Sequence, residues 1–225
     1  MKKLSVVMPV YNEQDTIEKI LEKIKRVPID KEIVIIDDCS SDGTQDILKK
    51  LEPEGVRVVY HTYNKGKGAS VRDGIKEARG EFAVIQDADL EYEPNDYLKL
   101  IRPLEENKVD IVLGARFIKG YRGLFAHKMG NRFLTWLINI LFGAKLNDYA
   151  TCYKMARKET FDKLSLKENS FDIDVEIVCK ALKKNLRIIE VPISYYPRSY
   201  AEGKKIRWFD GLDAIKSIFK YRFFE

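Results

Sequence analysis

The stretch 82–95, Phe-Ala-Val-Ile-Gln-Asp-Ala-Asp-Leu-Glu-Tyr-Glu-Pro-Asn, places four apolar residues directly before two aspartates. Because residues 82–85 show no alternation of apolar and polar side chains, they predict a strand covered on both faces, as in a parallel sheet. Asp87 and Asp89 then follow the carboxyl end of that strand. In an extended chain, side chains two residues apart point the same way and lie roughly 7 Å apart. The two carboxylates can therefore reach one ligand, and ligands bind at this end of the strands in open α/β sheets.

These two aspartates are also typical ligands of a divalent cation. Carboxylate oxygens bind Mg²⁺ and Mn²⁺, which are often shared with the phosphates of a bound ligand. Glu91 lies two residues further on and is a third candidate ligand. The stretch therefore predicts an Mg²⁺ or Mn²⁺ site at Asp87, Asp89 and Glu91, although an ordinary acidic turn in solvent has the same pattern.

The rest of the first half predicts an α/β fold. Apolar runs at 4–8, 33–36, 56–60, 82–85 and 111–113 are typical of buried strands, and stretches with helical spacing of apolar residues alternate with them. This alternation favours right-handed crossovers and a Rossmann-like, mainly parallel sheet flanked by helices. A chain of 225 residues can form one such domain.

Composition and motifs exclude several classes of protein. A net charge of +5 is too modest to indicate a general nucleic-acid binder. The three cysteines share no metal-ligand spacing, and the densest apolar stretch, 133–144, is shorter than the roughly 20 residues of a spanning helix. Neither the dinucleotide-binding glycine motif nor a P-loop ending in Gly-Lys-Ser/Thr is present.

Three polar loops remain at the predicted strand ends. They are Asp37-Asp38, the loop Lys65-Gly-Lys67-Gly68, and the pair Asp87 and Asp89. Carboxylates can accept hydrogen bonds from a base or ribose, glycines with a lysine allow close approach to phosphates, and the later acids can hold a metal. Together they predict a nucleotide diphosphate ligand, whereas singly the glycines are equally typical of a turn.

Four motifs occur in order: Val-Val-Met-Pro-Val-Tyr-Asn-Glu, Ile-Asp-Asp-Cys-Ser-Ser-Asp-Gly-Thr, Asn-Lys-Gly-Lys-Gly and Asp-Ala-Asp-Leu. In this combination the chain closely resembles the family 2 glycosyltransferases of the GT-A fold, particularly the dolichol-phosphate mannosyltransferase-like branch. It departs at Cys39, where the family usually has glycine. The resemblance implies one GT-A domain over 1–225, with a nucleotide-binding half at 1–116. The half at 117–225 would bind the acceptor and carry a lid and a C-terminal amphipathic helix.

The resemblance also implies site residues. The nucleotide-sugar site would comprise Pro9, Tyr11, Glu13, Ile36, Asp38, Lys67, Gln86, Asp87, Ala88, Asp89, Arg116, Arg198 and Lys204. The catalytic residues would be Asp89, Arg116 and Asp174. Arg198 and Lys204 are spaced like an arginine and a lysine of the family, but the local sequence leaves Lys205 as an alternative to Lys204.

The implied reaction moves a sugar from GDP-mannose or a UDP-sugar to an acceptor, with inversion at the anomeric carbon. A sugar hydroxyl acceptor needs a carboxylate base, for which Asp148, Asp174 and Glu176 are candidates. A phosphate monoester is largely dianionic at neutral pH and needs none.

The stretch 116–144 bears on the acceptor. Residues 116–132 include no acidic residue, and the apolar stretch 133–144 follows. This pattern suits a lipid phosphate at an anionic membrane, with Lys128 and Arg132 as its ligands, but a core helix after a solvated basic loop fits equally. We therefore expect a cytoplasmic enzyme on the inner face of the membrane that uses a polyprenyl phosphate, with or without a separate membrane-anchoring subunit. The alternatives are a transferase acting on a hydroxyl in cell-surface glycan synthesis and a non-catalytic nucleotide-sugar-binding subunit.

Overall fold

A computed structural model describes residues 2–117, 125–198 and 209–225. Its strands are β1 (Leu4–Val10), β2 (Lys31–Asp37), β3 (Arg57–Tyr60), β4 (Phe82–Ile85), β5 (Ile111–Ala115), β6 (Lys154–Arg157) and β7 (Ile188–Pro192). Its α-helices are α1 (Ile17–Arg26), α2 (Thr44–Leu51), α3 (Lys67–Glu77), α4 (Tyr97–Glu105), α5 (Phe125–Phe142), α6 (Lys158–Leu164), α7 (Ile173–Lys183) and α8 (Phe209–Phe223).

The strands form one seven-stranded sheet in the order β3-β2-β1-β4-β6-β5-β7. All neighbouring pairs are parallel except those of β6, which runs antiparallel to both β4 and β5. The mainly parallel sheet and its five predicted strands are confirmed. The second half of the chain adds β6 and β7, so β4 and β5 are not neighbours as a simple alternation of strand and helix would suggest.

The buried strands follow from their apolar runs. β4 and β5 are buried along their whole length, as are most residues of β1 and β2. Helix α1 buries Ile17, Ile20, Leu21 and Ile24, which recur at helical spacing and form one apolar face. The central strands are therefore covered on both sides, as a parallel sheet requires.

The parallel strands bring three loops to one edge of the sheet. β1, β2 and β4 end at Val10, Asp37 and Ile85, and Ile85 is paired with Val7 of β1. The loops after β1 and β2 are joined directly, since the backbone N–H of Asn12 donates to Ser40 Oγ at 2.9 Å. The polar loops after β2 and β4 that the sequence singled out therefore lie at the carboxyl end of the sheet. The loop at 65–68 joins them, because the backbone N–H groups of Lys65 and Gly66 donate to Asp38.

Helices α5 and α8 pack together in the second half of the chain. At one point of contact, the Arg222 guanidinium lies 5.6 Å from the centre of the Phe142 ring. Within the described ranges, none of the helices combines the length and apolar character needed to traverse a bilayer.

Candidate active site

Asp87 lies at the carboxyl end of β4 and is paired with a lysine from another loop. Its Oδ1 is 2.7 Å from Nζ of Lys67, the first residue of α3. Its backbone N–H donates to Cys152 Sγ at 3.2 Å, which ties the loop to the segment before β6. Burial alone would raise the pKa of Asp87, but the charge and hydrogen bond of Lys67, together with contacts to Cys152 and the charge of Lys154, hold that pKa below its usual value.

Asp89 is paired with a different cation. Its Oδ2 accepts a hydrogen bond from Arg198 Nη2 at 2.8 Å, and its Oδ1 accepts one from the Glu91 backbone N–H at 3.0 Å. Burial, followed by the charges of Asp87 and Glu91, raises the pKa of Asp89 to about 7 even though Arg198 opposes the shift. The acids at this loop are thus close enough to repel one another.

Glu91 holds the chain after β7. Its Oε1 accepts from the Arg198 backbone N–H at 2.6 Å and its Oε2 from the Tyr195 hydroxyl at 3.0 Å. Its own carbonyl accepts from the Tyr196 N–H at 2.8 Å. The third metal ligand predicted from the sequence therefore anchors the segment 195–198 in this structure.

Even without Glu91, Asp87 and Asp89 suit a divalent cation whose other ligands include phosphate oxygens. Mg²⁺ is usually bound through one or two carboxylates, with waters and substrate phosphates completing its shell. Burial, followed by the negative charges of Asp87 and Glu91, raises the pKa of Asp89, and a bound cation would offset both effects. In the part of the chain that the structure describes, no three His, Cys, Asp or Glu side chains converge as a ready-made metal cluster. A cation here would take most of its ligands from a bound phosphate and water.

Asp38 is buried and orders the loop before α3. Its carboxylate accepts from the backbone N–H groups of Lys65 and Gly66, both at 2.8 Å. It also lies 2.7 Å from Nδ1 of His61, whose Nε2 is 3.0 Å from Asp73 Oδ2. His61 is buried in this network. Asp38 and His61 together fix the loop that presents Lys67 to Asp87.

The start of α3 is covered by protein. The N–H groups of Gly68 and Ala69 donate to the Asn169 carbonyl at 2.8 and 3.2 Å. A Cβ on Gly66 would lie 2.3 Å from the Asn169 oxygen, and one on Gly68 would lie 2.5 Å from the Glu168 oxygen. The two glycines therefore allow the loop at 168–170 to pack on the helix, a role that the sequence did not suggest.

The other predicted nucleotide ligands fall into two groups. Tyr11 is exposed and Pro9 and Glu13 are half-buried in and just after the end of β1, where a ligand can reach them. Ile36, Gln86 and Ala88 are buried, and Gln86 accepts hydrogen bonds from the hydroxyls of Tyr97 and Tyr153. Lys204 and Lys205 lie outside the described residues.

Arg116 follows β5 and is held in a bidentate ion pair. Its Nε and Nη2 lie 2.7 Å from the two carboxylate oxygens of Asp148. Asp148 is fully buried and also accepts from Asn131 Nδ2 at 2.9 Å. Burial would lower the pKa of Arg116, but Asp148 raises it well above its usual value. Arg116 is therefore a fixed cation, with the Tyr195 ring 5.2 Å away.

The remaining candidate bases are both engaged. Asp174 accepts from Nζ of the fully buried Lys154 at 2.5 Å. Glu176 is fully buried and accepts from the backbone N–H groups of Lys167 and Glu168 and from Lys180 Nζ. Glu176 thus shapes the loop that covers α3. The sequence missed Lys154, because a lysine within a short polar strand gives no signal of burial.

A cavity of about 310 Å³ is lined by the residues next to Arg116 and Asp148 in the sequence. Both predicted acceptor ligands, Lys128 and Arg132, also line it. Its lining residues are Phe117, Lys128, Arg132, Thr135, Trp136, Asn139, Leu146 and Asn147. Two cations lie here beside aromatic, apolar and uncharged polar side chains, and such a lining suits an anion attached to an apolar group.

Comparison with known proteins gives a family match and several related sequences. The family model described as Glycosyl transferase family 2 matches residues 5–165. A dolichol-phosphate mannosyltransferase of Pyrococcus furiosus is 31% identical over 213 residues, which is 90% of this chain and 59% of the relative. Glycosyltransferase AglJ of Haloferax volcanii is 28% identical over 196 residues, or 86% of this chain and 63% of the relative. The chain thus spans less than two thirds of the length of these relatives.

Solved structures share the architecture. Glucosyl-3-phosphoglycerate synthase of Mycobacterium tuberculosis with uridine diphosphate has a TM-score of 0.75 and 20% identity, covering 98% of this chain and 80% of that one. A structure of the same enzyme with Mn²⁺, uridine diphosphate and glucosyl-3-phosphoglycerate has a TM-score of 0.73 and 18% identity, with the same coverage. S. aureus TarS 1–349 with UDP-GlcNAc has a TM-score of 0.66 and 19% identity, covering 97% of this chain and 66% of that one. These neighbours show the GT-A fold for this chain.

Proposed function

The chain belongs to glycosyl transferase family 2, and from this premise we propose that it moves a sugar from a nucleotide diphosphate to the phosphate of a polyprenyl lipid. The observation that carries the proposal is the pair Asp87 and Asp89 at the carboxyl end of β4, matched by Lys67 and Arg198 from two separate segments. A metal ion needs the carboxylates as ligands, and a diphosphate needs the cations. Both kinds of group meet at this point.

The donor site extends from the end of β1 to the acidic loop, residues 86–91, that follows β4. Tyr11 and Pro9 offer a surface for the nucleoside, and Asp38 fixes the loop that carries Lys67. Lys67, Arg198 and Arg116 are cations that can bind the diphosphate oxygens. The choice between uracil and guanine, and the sugar itself, depends on the shape of the pocket with the donor bound.

Bond breakage places negative charge on the leaving nucleoside diphosphate. A divalent cation bound by Asp87 and Asp89 would stabilise that charge as a Lewis acid. The protein's own contribution is a set of fixed cations, since Asp148 holds Arg116 rigidly and Asp38 holds the loop of Lys67. Cations that are already oriented stabilise the developing charge without reorganisation. An acceptor oxygen forms the new bond to the anomeric carbon as the diphosphate departs, so the configuration inverts.

The engagement of the candidate bases supports a phosphate acceptor. Asp148 and Glu176 are fully buried and accept hydrogen bonds from other protein groups, and Asp174 is paired with Lys154. A phosphate monoester attacks without a base because it is largely dianionic at neutral pH. Lys128 and Arg132 line the cavity that would bind it, and its lipid chain would lie along the exposed aromatic face of α5.

A membrane-surface position follows from the acceptor. Exposed apolar side chains occur on α5 and α8, which pack together. They are Phe133, Trp136, Ile140, Leu212, Phe219 and Phe223. We place the protein on the cytoplasmic, inner face of the membrane, bound through this surface, which we call the apolar face. A separate membrane-anchoring subunit would bind the same region.

The test compares Asp89→Ala with the parent and with Asp30→Ala, an exposed aspartate paired with Lys2. Sugar transfer from UDP- and GDP-sugars to a short polyprenyl phosphate and to a sugar hydroxyl is measured with Mg²⁺ or Mn²⁺. We expect a loss of about 100-fold or more in Asp89→Ala, the scale of removing one electrostatic contact to the transition state. Equal transfer by Asp89→Ala and the parent would discard the metal site. Transfer to the hydroxyl alone would replace the lipid phosphate by the hydroxyl acceptor.

A further inference from the structure

Arg198 follows β7, and its side chain contacts carboxylates of the loops after β1 and β4. Its Nη2 donates to Asp89 Oδ2 at 2.8 Å and its Nη1 lies 3.2 Å from Glu13 Oε2. Its Nε is buried and has no hydrogen-bond partner among the residues that the structure describes. The guanidinium therefore joins the loop after β1 to the loop after β4. Its Nε–H remains a donor without an acceptor among the described residues.

The backbone of Arg198 is fixed to the same loop. Glu91 accepts from the Arg198 N–H and from the Tyr195 hydroxyl, and the Glu91 carbonyl accepts from the Tyr196 N–H. Tyr195 is also bridged to Tyr92 in antiparallel fashion. The segment 195–198 thus places Arg198 on Asp89 through several independent contacts.

A divalent cation and this guanidinium compete for one oxygen. A cation on Asp89 Oδ2 would lie roughly 2.1 Å from it, and Arg198 Nη2 is already within 2.8 Å of that atom. Two positive groups so close repel each other strongly in a buried site. A cation on Asp89 Oδ2 therefore weakens the pair between Arg198 and Asp89, because both positive groups would share one carboxylate oxygen.

We propose that Arg198 takes the place of the divalent cation when no donor is bound and is displaced from Asp89 when the cation binds. The inference rests on the proposed function, because it takes Asp87 and Asp89 as metal ligands. The displaced guanidinium needs a new anion, and the diphosphate of a bound donor supplies it at the same site. Cation alone must break the Arg198 pair without compensation, whereas cation and nucleotide together replace it.

The exchange predicts a specific pattern of metal affinity. A state that cannot bind the ligand lowers the apparent affinity in proportion to its population. Removing Arg198 removes that state, so Arg198→Ala will bind Mn²⁺ alone more tightly than the parent does. In the parent, UDP or GDP will strengthen Mn²⁺ binding. In Arg198→Ala this enhancement will be smaller, because the variant has no pair between Arg198 and Asp89 whose loss the nucleotide must offset.

The experiment measures free Mn²⁺ by electron paramagnetic resonance during titration of each protein, with and without UDP or GDP. We expect Kd for Mn²⁺ alone to fall at least about fivefold in Arg198→Ala, the lower end of typical coupling between sites. The matched control is Arg157→Ala, which removes a similar arginine paired with Glu81 at the other end of β4 and will bind Mn²⁺ as the parent does. The double variant Arg198→Ala/Asp89→Asn will lose the gain, which assigns it to Asp89.

Several results would overturn the exchange. One is an unchanged or weaker Kd for Mn²⁺ alone in Arg198→Ala while the parent binds Mn²⁺ with UDP or GDP, which leaves the proposed function intact. Another is an equal gain in Arg157→Ala, which would reduce the effect to net charge. Absence of Mn²⁺ binding in every variant, with or without nucleotide, would remove the metal from the proposed function as well. If Arg198→Ala does not fold, Tyr195→Phe weakens the same anchor and will shift Kd in the same direction by less.

Discussion

The carboxylate of Asp89 is buried beside Asp87 and Glu91, and these factors raise its pKa to about 7. The ordinary pKa of an aspartate is 3.8. The folded protein thus binds this proton more tightly than the unfolded chain between about pH 4 and 7. The stability that this provides is complete below the unfolded pKa and is lost as the pH rises through about 7.

Asp89→Asn will therefore change the pH dependence of stability. Because the amide carries no charge, the variant avoids the cost of ionising a buried group at pH 8. We expect the unfolding free energy of the variant, relative to that of the parent, to be greater at pH 8 than at pH 5 by an amount on the order of 2 kcal/mol. Its Tm relative to the parent will rise accordingly. Thermal unfolding with a chelator present measures this. Asp30→Asn, at an exposed ion pair, is the control, and an Asp89→Asn offset that is the same at both pH values would contradict the prediction.

Helix α3 begins against the loop at 168–170 rather than against open solvent. The Asn169 carbonyl accepts from Gly68 and Ala69, and Glu176 of α7 holds the N–H groups of Lys167 and Glu168. The first turn of α3, which carries Lys67 to Asp87, is thereby fixed from the second half of the chain.

Gly68→Ala will test this packing. A Cβ there would lie 2.5 Å from the Glu168 carbonyl oxygen and 2.8 Å from that of Ser170, and both are backbone atoms. We expect a loss of about 1–3 kcal/mol in the free energy of unfolding, the usual cost of overpacking. Denaturation in urea measures it.

Gly130→Ala is the matched control for this change, because a Cβ there, in helix α5, meets no atom of the described residues within 4 Å. It will stabilise the protein by about 0.5–1 kcal/mol through helix propensity alone. If Gly68→Ala behaved in the same way, the loop at 168–170 would not pack on α3 in solution.

The sequence predicted the elements that are apolar throughout and missed those that depend on distant partners. β1, β2, β4 and β5 were recognisable because a short, uninterrupted run of apolar residues between turn signals is typical of a buried strand. β6 was missed because it begins with Lys154, whose burial depends on Asp174 twenty residues later. The carboxylates of the site were found from strand ends. The roles of Gly68 and Asp38 in loop packing needed the three-dimensional contacts.

The apolar face lies on helices α5 and α8, which pack together. Phe133, Trp136 and Ile140 recur at helical spacing on α5, and Phe133 and Trp136 stack with ring centres 5.9 Å apart. Leu212, Phe219 and Phe223 are exposed on α8, also at helical spacing. Exposed apolar side chains grouped in this way are typical of an interaction surface.

Phe133→Glu will weaken binding to anionic phospholipid vesicles. Burying a phenylalanine contributes about 1.5–3 kcal/mol, so we expect at least about a tenfold loss in affinity. Co-sedimentation with vesicles measures it. Leu98→Glu, which changes an exposed apolar residue of α4, will bind vesicles as the parent does. The thermal shift produced by nucleotide will stay unchanged in both, and undiminished vesicle binding by Phe133→Glu would exclude the apolar face as the membrane contact.

The position of β6 also affects how the protein is made. β4 and β5 leave the ribosome well before β6, which must insert between them and pair with both. Until residues 154–157 have been synthesised, each of the two strands has an unpaired edge, and such edges favour aggregation. The loop after β4, whose Asp87 N–H donates to Cys152, therefore becomes ordered late, and chaperones that bind nascent chains would protect this interval of translation.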